Sequence, residues 1–178
     1  MSAPSPAELR HTINQLLSAQ EKLVRRPVKD ILISIDRVVA RFLAPSSIER
    51  QDAEVHLPGE TGLSPEMIRY TLPFIFREYR APRLSALLQD ELGSLAVLDS
   101  FSSNRRVVSP RLISHVLASN LPGAGLDSLI FSLLIKSATL VKASSSASLL
   151  PLQFARSLAE LSNVRGPRFA AVRVPVTY

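Results

Sequence analysis

The chain reads as an α/β protein, with a helical N-terminal region followed by a partial parallel βαβαβ sheet of the nucleotide-binding kind. Three observations predict this. The front of the chain carries apolar residues at helical spacing, the rear alternates short β-prone runs with amphipathic helical segments, and those segments are long enough to act as crossovers between parallel strands. At 178 residues and 46% apolar composition, the chain can build one ordinary domain with a real core, or part of a larger one.

The helical region is expected to span residues 1–104. Leu9, Ile13, Leu16 and Leu17 fall on one face, and Ile31, Ile35, Val38, Val39 and Phe42 form a second stripe that opens after Pro27 and closes at Pro45-Ser46-Ser47. Residues 46–63 read as an ordered loop, because "LPGETGLSPEM" stacks Pro, Gly and Thr signals. Ser64 then caps a helix with Pro65 at its first position, and Pro73 is expected to kink or split it. Leu84, Leu87, Leu88 and Leu92 mark another helix, stopped by Gly93.

The α/β region is expected to span 105–178. "LISHVLAS" is a β-prone run ending in the chain-reversing cluster Asn120-Leu121-Pro122-Gly123. Leu126, Leu129, Ile130, Leu133 and Leu134 then lie on one helical face, and Thr139–Lys142 reads as a second strand. Ser148 is placed to cap a further helix that tolerates Pro151 in its first turn and buries Leu150, Phe154, Leu158 and Leu161. Phe169–Val174 completes a strand, helix, strand, helix, strand order.

Charge is unevenly placed. Residues 1–104 hold 12 Lys/Arg against 13 Asp/Glu, whereas residues 105–178 hold 9 against 2, so the rear half is suited to meet an anion. Nucleic acid is the weaker candidate, since the basic residues are not interleaved with aromatics and no nucleic-acid-binding module is present. Cysteine is absent, which excludes disulfides, Cys-type zinc sites and a thiol nucleophile within these residues. Neither a secretory leader nor an apolar run of membrane-spanning length is found, so a cytoplasmic protein is expected. The three histidines are widely spaced without H-E-x-x-H, no G-x-S-x-G elbow occurs, and Gly123 and Gly125 fall short of either a dinucleotide fingerprint or a P-loop. Those glycines read as allowing a turn and a close helix approach, and His115 as a packed side chain rather than a ligand.

Two positions stand out at strand ends. Lys142 closes the second strand, where open α/β sheets hold their ligands, with Ser144 and Ser145 offering hydroxyls beside it; by position alone it reads equally as an exposed lysine in a polar loop. Asn120 follows the first strand and suits an oxyanion donor, but also an ordinary turn.

The segments "PGETGLSPEMI", "LLQDELGSLAVLDSF" and "SPRLISHVLASNLPGAGLDSLIFSLLIKSATLVKASSSASLLPLQFARSLAE", in this order and spacing, resemble LuxC-type acyl-CoA reductases, a branch of the aldehyde dehydrogenase superfamily. The likeness covers roughly residues 29–162. It implies reduction of a fatty acyl thioester to an aldehyde: a cysteine attacks acyl-CoA, the oxyanion collapses to an enzyme thioester, and hydride from NADPH releases the aldehyde. It further implies that Asn120 helps hold the oxyanion, that Ala118 and Ser119 line the cofactor, and that Lys142 contacts the adenosine ribose and its 2′ substituent. Many NAD-preferring relatives carry Glu where this chain has Ser145; serine can donate to a 2′-phosphate that a carboxylate would repel, so NADP is the expected cofactor. Because the nucleophilic Cys and the catalytic domain have no counterpart here, the resemblance is to an N-terminal fragment, inactive alone or completed by a separately encoded catalytic half.

Overall fold

In the computed structural model, residues 5–102, 104–117, 123–142, 149–165 and 171–173 are described. The elements run α1 (Pro6–Val24), α2 (Val28–Leu43), α3 (Ile48–Thr61), α4 (Pro65–Arg77), α5 (Ala81–Leu92), a short 3-10 helix (Leu95–Leu98), β1 (Leu112–Val116), α6 (Leu126–Leu134), β2 (Ala138–Lys142), α7 (Leu149–Arg165) and β3 (Ala171–Arg173). They divide into two compact units, one of residues 26–108 and one of residues 1–25 with 109–178. The first helix therefore groups with the sheet rather than with the helices that follow it, a placement no periodicity signals.

The helical unit is built around α2, whose Ile31, Ile35, Val38, Val39 and Phe42 are fully buried. Phe42 stacks on Phe76 of α4 with centroids 4.3 Å apart and planes 10° from parallel, an aromatic contact that adds to the burial of both rings. From α3, Arg50, only 5% exposed, reaches to α4. Its Nε donates to Glu54 at 2.5 Å and its two terminal nitrogens to the carbonyls of Phe42 (3.4 Å) and Arg69 (2.8 Å). A buried guanidinium is tolerable there because these acceptors replace water.

Residues 46–63 correct the sequence reading, since most of them form α3. Ser47 caps it by accepting the Arg50 N–H, and Ala53 and Leu57 bury against the core, so packing outweighs the Pro-Gly signal. Pro58 costs the helix its N–H bond to the Glu54 carbonyl without ending it, and Gly62 in the left-handed region (φ 72°) does end it. In α4, Ser64 caps and Pro65 leads as expected, but the helix runs through Pro73 as a single element. Helices α2 and α5 start after Pro27 and Arg80, neither of which supplies a side-chain cap. Carboxylates from elsewhere do so: Asp99 accepts the Val28 N–H at 2.9 Å, and Asp36 accepts the Ala81 N–H at 2.8 Å. Hydrogen bonds from the Arg80 guanidinium, at 2.5 and 3.1 Å, hold the Asp36 carboxyl below its ordinary range.

The second unit is α/β. Its three strands are all parallel in the order β1-β2-β3, with Leu112 paired to Ala138, Val116 to Lys142, and Thr139 to Ala171. Helices α6 and α7 form the crossovers, with Leu126, Ile130, Leu150, Phe154 and Leu158 buried. At the amino end of β2, Lys136 takes a left-handed conformation (φ 61°) and is 2% exposed. Its ammonium donates to the Val24 carbonyl at 3.3 Å, and its own carbonyl accepts Gln20 Nε2 at 3.2 Å. These two bonds fasten the last turns of α1 to the start of the central strand.

Candidate functional site at the strand ends

The carboxyl ends of β1 and β2 are where the sequence places its candidate site residues. Lys142 is the last residue of the central strand and its side chain is exposed. Its register partner Val116 is 75% exposed. In-register residues of parallel neighbours project to the same side of the sheet, so an ammonium on a flexible stem stands beside an open apolar side chain. One residue further along, the Leu117 N–H donates to the Lys142 carbonyl at 3.0 Å, which extends the pairing past the end of β1.

The turn into α6 is shaped by glycine. Gly123 and Gly125 have φ of 82° and 90°, a region that side chains other than glycine's seldom tolerate. A Cβ at Gly125 would also meet Leu117, with Cδ2 at 2.8 Å and Cδ1 closer still. The sequence reading of these glycines as turn and close-approach residues therefore holds, and diphosphate binding is not required to explain them.

His115 is packed, as its place on an apolar strand suggests. Its Nε2 lies 3.0 Å from Ser132 Oγ on α6, and Ser132 donates its single hydroxyl proton to the Ser128 carbonyl at 2.7 Å. Ser132 must then accept from histidine, which assigns the Nε2–H tautomer to the neutral ring. Burial holds the His115 pKa below its ordinary value of 6.5.

Of the residues proposed from sequence to hold cofactor or oxyanion, Lys142 is the one the structure describes; Ala118, Ser119, Asn120, Ser144 and Ser145, like the helix cap expected at Ser148, lie outside the described residues. Leu117 and Lys136 escaped sequence reasoning. A leucine ending a β-prone run and a lysine between a helix and a strand carry no local signal, because their partners are Gly125 in one case and Val24 and Gln20 in the other. Among the described residues no group of three His, Asp or Glu side chains could hold a metal ion. Nor is any described helix long and apolar enough to cross a membrane.

The sequence model of the acyl-CoA reductase (LuxC) family matches residues 23–174. The chain belongs to the LuxC acyl-CoA reductase family. That membership spans both compact units and carries with it acyl-CoA reductase chemistry, an oxidoreductase activity on acyl thioesters. No curated protein matches the chain. For a LuxC-family chain, the exposed cation at the tip of the central strand becomes the feature on which a cofactor reading rests.

Proposed function

We propose that this chain is the adenosine-binding part of an NADPH-dependent fatty acyl-CoA reductase, built on a nucleotide-binding sheet of the aldehyde dehydrogenase type. The observation that carries the reading is Lys142, exposed at the carboxyl end of the middle strand of a parallel sheet, where ligands of open α/β sheets bind. Its ammonium neutralises a 2′-phosphate on the adenosine ribose as a point charge, with the hydroxyls of Ser144 and Ser145 as further donors and Ala118 and Ser119 as further cofactor-contacting residues. Asn120 would donate to the thioester oxygen as negative charge develops on it. When bound, the reduced nicotinamide supplies the hydride. The 178 residues contain no cysteine, so the thiol that attacks acyl-CoA has to come from outside them, and these residues alone should make no aldehyde.

The test is titration of the chain with adenosine 2′,5′-bisphosphate and with 5′-AMP. Lys142→Ala should weaken the bisphosphate roughly tenfold while leaving 5′-AMP within about twofold, because only the former offers the extra dianion. Equal losses for both ligands, or none for either, would remove the clamp. A second reading, that a separately encoded catalytic half completes the protein, is favoured by the sheet order, which leaves β1 with a neighbour on one side among the described residues. Aldehyde formation on mixing with a Cys-bearing LuxC-family polypeptide, and not with either piece alone, would establish it.

A further inference from the structure

We propose that Leu117 is a positioning residue for Lys142, and that the missing side chain at Gly125 is what allows it to act. The inference rests on the reading of Lys142 as the 2′-phosphate ligand. A lysine on the last residue of a strand has no following ladder bond of its own to fix its peptide plane, so the direction in which its stem leaves the sheet depends on what holds its carbonyl. Here the Leu117 N–H does so, at 3.0 Å.

Leu117 is itself set from the other side. Its Cγ lies 3.1 Å and its Cδ2 2.8 Å from where a Cβ on Gly125 would stand, so the leucine occupies the space that a side chain at 125 would claim. Gly125 is in turn fixed to α6, because its carbonyl accepts the Leu129 N–H at 3.1 Å and the flanking Leu126 is fully buried. The same helix grips the same strand two residues earlier through Ser132 and His115. A continuous series of contacts thus runs from the buried helix α6, through Gly125 and Leu117, to the peptide carrying Lys142. A Cβ at 125 meets the end of the Leu117 side chain, and the proposal requires that the leucine cannot turn aside there, so that the push reaches the N–H that holds the Lys142 carbonyl.

Two measurements on the full chain test this, with hydrogen exchange at the residue 117 amide as the first and affinity for adenosine 2′,5′-bisphosphate as the second. Gly125→Ala should speed exchange at residue 117 on the order of tenfold after correction for intrinsic rates, and weaken the bisphosphate by a similar factor. Leu117→Phe, which overfills the gap while glycine keeps its backbone freedom, should do the same and serves if the alanine variant does not fold. Adding Leu117→Ala to Gly125→Ala makes room for the new methyl and should restore most of both readouts, although strain at φ 90° persists. In a Lys142→Ala background, Gly125→Ala should cost no further affinity, because both act through one ammonium.

Unchanged exchange in both Gly125→Ala and Leu117→Phe overturns the proposal. So does faster exchange with unaltered affinity, or a loss that adds fully to that of Lys142→Ala. If the unsubstituted chain fails to bind the bisphosphate, the cofactor reading falls, and the exchange measurement alone decides whether Leu117 holds the strand tip.

Discussion

The two ends of β2 treat a lysine in opposite ways. At the amino end, Lys136 is buried and its ammonium and carbonyl are both taken up by α1. At the carboxyl end, six residues on, Lys142 reaches solvent beside an exposed valine, and a neighbouring backbone N–H secures its carbonyl alone. Burying an ammonium is costly unless acceptors replace its water, so the first lysine exists for the fold. The second stays in water and incurs no such cost. One strand thereby runs from a lysine tied into the fold to a lysine left in water.

Substitutions that exchange these roles break the comparison. The largest effect is expected at Lys136, where alanine removes the donor to the Val24 carbonyl and leaves a void between α1 and the sheet; unfolding in urea should show a loss of roughly 2 kcal/mol. Acid provides the next. Burial keeps the His115 pKa below 6.5, so the folded sheet binds a proton less readily than the unfolded chain. That contribution is fully present above pH 6.5 and is lost as pH falls through the depressed folded value. Unfolding midpoints measured between pH 8 and pH 5 should drop for the unsubstituted chain, and His115→Gln should flatten this part of the profile. Smallest of all is Lys142→Ala, which should move unfolding by no more than about 0.5 kcal/mol while weakening the bisphosphate. A large loss of stability there would place Lys142 with Lys136 as a structural residue.

Helices with their own caps and stripes were legible in the sequence. The Ser64-Pro65 start of α4, the Gly93 stop of α5 and the apolar face of α6 depend on neighbours within a turn or two, and each appears as read. Helix α3 was misread because Pro58 and Gly59 are local signals, whereas the burial of Ala53 and Leu57 and the clasp of Arg50 on Phe42 and Arg69 are not. The place of Lys142 at a strand end was legible, since the end of a β-prone run is also a local feature; the contact of Leu117 was not, since it depends on a glycine beyond the next turn.

The sequence by itself determined the alternation of strands and helices in the rear half, the cation closing the second strand, and the absence of a thiol, because periodicity, punctuation and composition are properties of neighbouring residues or of simple totals. Only the tertiary structure decided that α1 joins the sheet through Lys136, that Asp99 and Asp36 cap helices whose own first residues cannot, and that the Leu117 N–H pairs with the Lys142 carbonyl. Each of those bonds joins groups far apart in the chain, and such a pairing forms only once packing brings its donor and acceptor within hydrogen-bonding distance.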